Sequence, residues 1–467
     1  MSVSIDFGKE FLEKALRRGV DEAVVRVQER LYELIVFDGG VLRSYGVSRV
    51  VGVGVQVVVK CFVGYSYTSS LSTEAVEEAI DRAVKLAKAM ASTGKGSAFA
   101  PVNGVKTVYR TSYSINPLDV DPSEKVSLVA ELNRLSLGVQ GIVSAVTRFG
   151  AEIDRRVVVS SYGAEAFEEI VGAGASHLAV ARFGEVMERV QDQRSFIAGY
   201  EAIKSFDWQT FVKEVSELAV KASQARVPKP GAYRAVIDNE LIGLMLHEAF
   251  GHASEGDLVM HRESVLYGKL GTKIASELVT IVDDGLAEGG YPVPFDDEGV
   301  AKKRTVVVEK GTLRGYLTHR QAAHELGIEV SGNGRAQDIT FMPIVRQTNF
   351  FMLPGDARIE ELFEGVSEGI YLKGRGAMGG QVNTAVGTFT FSVGPSYIIR
   401  NGEPAELVRG VVVSGNILET LMNVEAVARE LKVTTSVFGG CGKDGQLARV
   451  GDGGPHVRVS RIVVGGG

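Results

Sequence analysis

Apolar residues recur at helical intervals over 7–18 (FGKEFLEKALRR), and Gly19 stops the run. Four apolar or alternating stretches follow, at 22–28, 32–38, 41–47 and 50–62, and read as strands. Gly39-Gly40 between two of them predicts a hairpin turn. The helical period returns at about 73–91, with Ser72 as its N-cap, and again at 123–137 and 206–224. Residues 141–196, rich in Val, Ile, Ser and Gly, predict several more strands. The first half therefore reads as α+β, an antiparallel sheet backed by helices.

The pattern breaks at 226–231 (RVPKPG), where two prolines and a glycine in six residues mark a linker. The expected boundary divides an N-terminal α+β domain, 1–226, from a C-terminal β-rich domain, 232–467. One helix is expected there at about 239–250. The remainder reads mostly as strand and turn: a hairpin at 305–309 and 313–318 around Lys310-Gly311, then 371–372, 388–393, 397–400 and 407–413. Short helices are expected at 319–326, 359–363 and 416–427.

Composition narrows the classes. Of 467 residues, 45% are hydrophobic and 23% charged, an ordinary globular balance. The net charge of −6 gives no electrostatic argument for nucleic acid or an anionic membrane as partner. The most apolar run, 50–59, falls far short of the roughly 20 residues a membrane span needs, and reads as a buried strand. No basic-then-apolar leader is visible. The two cysteines, Cys61 and Cys441, lie far apart, which excludes a disulfide framework and makes a reducing cytoplasm the expected setting. Cys61 lies within an apolar strand run and reads as a small buried side chain.

Chemistry concentrates in one segment. Residues 244–257 read LMLHEAFGHASEGD, with two of the seven histidines and three acids within eleven positions. The zinc-helix pattern H-E-x-x-H sets both imidazoles on one face. Here His247 and His252 are one residue further apart, roughly 140° around a regular helix. They can share a metal only if the helix widens or ends between them. A π-turn would do this, and Gly251 eases the distortion. The competing reading is a buried, hydrogen-bonded His247 beside an exposed His252.

A catalytic zinc site needs a third ligand. Candidates are Glu255, Asp257, His261 and Cys441, the last in the glycine-rich loop FGGCGKDGQ, where Lys443 would favour the thiolate. With His247, His252 and Cys441 as ligands, Glu248 would serve as general base. Asp296-Asp297-Glu298-Gly299 reads as a solvated acidic turn, and His319 and His324 as surface residues. A Cys441–His456 thiol–imidazole dyad is a weaker alternative.

The chain resembles the TldD/PmbA family, specifically its TldD-like metallopeptidase branch. The likeness rests on GVGVQVVVKCFVGYSYTSSLS (52–72), HEAFGHASEGD (247–257), FDDEGV (295–300), GNGR (332–335), RQTNFFMLPG (346–355), GGQVN (379–383), VRGVVVSGN (408–416) and FGGCGKDGQ (438–446). It implies a zinc-dependent peptidase, one zinc per chain, acting on peptides or unfolded segments. His247, His252 and Cys441 match the metal ligands and Glu248 the catalytic carboxylate. Arg346, Thr348, Asn349 and Gln381 match family motifs and are candidate pocket or peptide-backbone contacts. The resemblance also implies a two-subunit particle, a homodimer or a heterodimer with a PmbA/TldE-like subunit, in which an extended peptide adds to a sheet edge. The rival is a non-catalytic peptide-binding or modulator subunit, which would have no use for a general base beside a metal.

Overall fold

The computed structural model describes residues 3–466 except Thr93, Lys95 and Met378. Its first half is built on one sheet of β1 (Glu22–Asp38), β2 (Val41–Val59), β3 (Phe62–Thr68), β4 (Lys106–Arg110), β5 (Ile142–Ser160), β6 (Glu165–Phe183) and β7 (Val186–Phe196). The strand order is β3-β2-β1-β5-β6-β4, with β7 also on β6. Every pairing is antiparallel except that of β4 with β6. The two strands expected at 22–28 and 32–38 are one, because Glu29, Arg30 and Leu31 keep the pairing to both neighbouring strands without a break. Gly39 and Gly40 take positive φ at the first hairpin, as that turn requires.

Five helices cover one face: α1 (Ile5–Leu16), α2 (Thr73–Ala91), α3 (Pro122–Leu137), α4 (Tyr200–Ser205) and α5 (Trp208–Gln224). Ser72 caps α2, accepting the Ala75 N–H at 3.3 Å. Odd-numbered positions of β1, such as Val25, Val27 and Ile35, join the apolar core under these helices. The opposite face carries Arg26, Gln28, Glu152, Asp154 and Arg156, and it too is covered, by the second half of the chain. Charged alternate positions that would suit solvent instead form a buried polar seam. Arg26 reaches Asp297 at 3.3 Å, and Gln28 accepts the Ile339 N–H at 3.1 Å.

The second half opens with β8 (Gly231–Ile237) and α6 (Asn239–Met245). Here β8 lies inside a nine-stranded sheet whose first edge is Gly379–Asn383, and a six-stranded sheet including Ile281–Asp283, Asn349–Met352 and Gly451–Gly454 packs nearby. The largest apolar core fills the space around α6. The helix expected at 416–427 ends at Met422 and gives way to the strand Val424–Val427, which pairs with the terminal strand Val457–Gly466. Strand structure expected at 313–318 is confined to Thr312–Leu313. Among the described residues no helix is long and apolar enough to cross a membrane.

Several sequence expectations fail, one at a strand end and others through partners distant in sequence. Cys61 is exposed, at φ +67° in the turn that joins β2 to β3, so the apolar run ends two residues before it. It is a free thiol, as is Cys441. Asp296, Asp297 and Glu298 are buried, with Asp297 between Arg26 and Arg156, and Asp296 accepting three backbone N–H groups. His319 is buried and caps a helix by accepting the Ala322 N–H, whereas His324 is exposed as expected.

Candidate metal centre

The site grows from a short capped helix. Asp238 accepts the Leu241 N–H at 2.9 Å and starts α6. Gly243 lets this helix approach Gly453 closely, since a Cβ there would lie 2.7 Å from the Gly453 backbone. After Met245 the helix widens into a π-turn, Leu246–Gly251, in which the His252 N–H donates to the His247 carbonyl. That turn returns positions five apart to one side. The imidazoles of His247 and His252 stand 5.4 Å apart between centroids, at 82°. Gln347 supports the turn by donating to the same carbonyl at 3.1 Å. Gly251 matters through close packing as well as pliancy: a Cβ on it would fall 2.0 Å from Gln347 Oε1.

Cys441 enters from a separate hairpin, Cys441–Lys443 against Gln446–Ala448, turned at Asp444-Gly445 with positive φ at both. Its sulfur lies 3.1 Å from His252 Nε2. Donor atoms of His247, His252 and Cys441 all fall within 4.8 Å of one another, and all three residues are buried. On the other side of the His252 ring, Nδ1 meets Glu255 Oε2 at 2.9 Å. Orientation of one imidazole nitrogen by a carboxylate, leaving the other for a metal, is the usual outer support of such sites.

Electrostatics follow from the crowding. Burial opposes ionisation of Cys441, but the two histidines outweigh it and pull the thiol down to about 5. Burial likewise disfavours a charged His247, yet the thiolate beside it raises its pKa to about 8. Buried His252 is raised well above its ordinary value by Glu255 and Cys441. His247 Nδ1 is buried without a hydrogen-bond partner among the described residues. A thiolate and two imidazoles, one with a buried ring nitrogen left unpaired, fit a cation that would displace these protons.

Glu248 projects from the π-turn beside these groups and is only half-buried. Of the other third-ligand candidates, Glu255 orients His252, and Asp257 accepts both 2.7 Å contacts from Lys443. His261 is exposed, outside the cluster. Lys443 does not stabilise the thiolate as its sequence position suggests; its ammonium is held by Asp257, Glu255 and the Val345 carbonyl. The Cys441–His456 dyad does not form: His456 Nε2 meets Tyr371 Oη at 3.0 Å, while Cys441 faces His252.

The residues of RQTN at 346–349 point inward, and none is exposed. Arg346 donates to the carbonyls of Cys441 and Gln446. Thr348 is held by Asp283 through its N–H and hydroxyl, at 2.8 and 2.9 Å. Asn349 brackets Tyr291 with bonds to its N–H and carbonyl. Gln381 is exposed on the strand Gly379–Asn383, which ends the nine-stranded sheet and lies against the π-turn. Sequence reasoning missed Gln347 and Asp452. Asp452 sits among glycines in Gly451–Gly454, and burial raises its carboxyl despite the nearby His247. Its only sequence signal is the glycine frame VGDGGP.

Comparisons with known proteins agree along nearly the full length of the chain. Family models described as PmbA/TldA metallopeptidase domain 1, central domain and C-terminal domain match residues 23–87, 115–222 and 230–466. A metalloprotease of Methanothermobacter thermautotrophicus is 36% identical, over 96% of each chain. A zinc metalloprotease TldD homolog of Saccharolobus solfataricus is 27% identical over 98% of this chain and 99% of its own. The crystal structure of TldE from Thermococcus kodakarensis superposes with a TM-score of 0.77 at 22% identity, covering 99% of both chains, and so shares the fold. With three consecutive domain matches and a relative of this identity along nearly its full length, the chain belongs to the PmbA/TldD metallopeptidase family.

Proposed function

We propose that this chain is a zinc-dependent peptidase that hydrolyses peptides or unfolded segments. The observation that carries the reading is the buried His247, His252 and Cys441 cluster, with donor atoms within 4.8 Å, and a carboxylate, Glu248, on the same π-turn. Two imidazoles and a thiolate suit zinc by softness and ligand number. When bound, zinc supplies a Lewis acid that activates water and polarises the scissile carbonyl.

The protein's own groups do the rest. His247, His252 and Cys441 form the cradle, and Glu255 fixes which His252 nitrogen faces it. Glu248 accepts the proton of the attacking water on its carboxylate and passes it to the leaving amine. The strand Gly379–Asn383 offers an outer edge that no described strand pairs with, beside the π-turn. An extended peptide adding there would be held through its backbone, which would permit broad sequence tolerance. Gln381 on that strand is the peptide contact, whereas Arg346, Thr348 and Asn349 brace the loops beneath.

In this reading residues 232–467 carry the chemistry, and 1–226 control access and assembly. The chain works as a two-subunit particle, a homodimer or a pair with a TldE-like subunit. The test is cleavage of casein-derived peptides by the purified chain, with chelation and zinc re-addition. Cleavage lost on chelation and restored by zinc is expected. Cleavage indifferent to chelation contradicts the reading.

A further inference from the structure

The loop that delivers Cys441 does not stand on its own domain alone. Its leading segment, residues 436–440, lies on the polar face of the N-terminal sheet. Ser436 Oγ donates to Gln193 at 2.6 Å, and the Val437 N–H donates to Ser195 Oγ at 3.1 Å, both acceptors on β7. The Phe438 ring packs on Gly150 of β5, where a Cβ would fall 2.9 Å from it. At the centre is Arg449, one residue beyond the strand that pairs with Cys441. Its guanidinium donates to the Val437 carbonyl at 2.8 Å and to the Gly439 carbonyl, so it grips the loop on both sides of Phe438. The same guanidinium is held by Glu152 of β5 at 2.9 Å, and Arg30 of β1 braces that carboxylate, also at 2.9 Å. Glu152 is 1% exposed and Arg449 9%.

We propose that Glu152 and Arg449 are positioning residues that make the N-terminal sheet part of the metal centre, setting how far the Cys441 sulfur reaches toward His247 and His252. The proposal rests on the reading of Cys441 as a metal ligand. A buried fork between a carboxylate and two loop carbonyls leaves few alternative loop conformations. Outer partners of this kind typically change metal affinity by about 10–100-fold when removed. The sheet thereby couples to the chemistry without touching substrate.

The experiment compares wild type with Glu152→Gln, Arg449→Met, Arg449→Lys, Gly150→Ala and the surface control Glu165→Gln. Zinc affinity is measured by chelator competition, and the thiolate-to-metal absorption band is recorded on the cobalt(II) form. Circular dichroism establishes that each variant is folded. The expected result is a fall in affinity of about 10–100-fold in Glu152→Gln and Arg449→Met, with a weakened thiolate band. Arg449→Lys should recover part of both, and Glu165→Gln should match wild type. Gly150→Ala, which pushes on Phe438 and alters no charge, should weaken the same band, and it decides the matter if the charge variants do not fold. Wild-type affinity and band in the folded variants would overturn the inference alone. A wild-type chain that takes up no zinc would overturn the metal reading, and this inference with it.

Discussion

Two buried histidines, one in each half of the molecule, face opposite situations. His177 on β6 has both ring nitrogens satisfied, by Thr147 Oγ1 at 2.9 Å and Ser136 Oγ at 3.0 Å, and Ser136 is bonded onward to Ser216 at 2.8 Å. Burial alone pushes its pKa down to about 4, so the ring is neutral. His247 is as deeply buried, yet Nδ1 has no partner, and the neighbouring thiolate raises its pKa to about 8 against burial. A closed network spends every hydrogen-bonding group on the scaffold. An open one, beside a second imidazole and a thiolate, leaves a ring nitrogen without a protein partner. Burial of a histidine thus carries no functional meaning until its two nitrogens are accounted for.

The two histidines and their neighbours should respond differently to substitution. The largest effect is expected at Glu248. Glu248→Ala should lower peptide cleavage by about 10²–10⁴-fold while zinc content stays at one per chain; near-wild-type turnover would remove its role as base. Next, the two histidines should separate cleanly. His247→Ala should cost zinc binding on the order of 3–5 kcal/mol, one ligand's share of a typical site, read by chelator competition. His177→Ala should keep zinc but lose about 2–4 kcal/mol of folding stability in urea, by cavity formation and unpaired hydroxyls.

Acid should act on the scaffold histidine in a defined direction. An unfolded histidine protonates near 6.5, whereas folded His177 does so only near 4. Its neutral-state contribution is therefore complete above about 6.5 and lost as pH falls toward 4, a change of about 3 kcal/mol. His177→Gln should flatten that part of the stability–pH curve; an unchanged curve would show that other groups dominate it. The smallest effect belongs to Gly251→Ala. The added methyl meets Gln347 Oε1, so a loss of about 1–3 kcal/mol in stability is expected, with partial recovery in the double variant with Gln347→Ala.

Local signals made much of this legible. Ser72 and the helical period locate α2, and Gly39-Gly40 locates the first hairpin. The one-residue excess in the His–Glu–His spacing points to the π-turn, because no regular helix places those rings together. What could not be read is long-range. The alternation along β1 and β5 shows that Arg26, Gln28 and Glu152 share a face, but no local pattern reveals that another part of the chain covers it. The same limit misplaces the acidic turn at Asp296 and the ammonium of Lys443, whose partners lie far away in sequence. Cys61 fails for a smaller reason: the strand turns just before it.

On the proposed reading, His247, His252 and Cys441 hold the metal that hydrolysis needs. The most direct measurement is metal content per chain for wild type and Cys441→Ala, with casein-peptide cleavage assayed on the same samples. One zinc per wild-type chain, lost together with cleavage in Cys441→Ala, is the predicted result. Undiminished zinc in Cys441→Ala, or peptide cleavage by metal-free wild type, would contradict it.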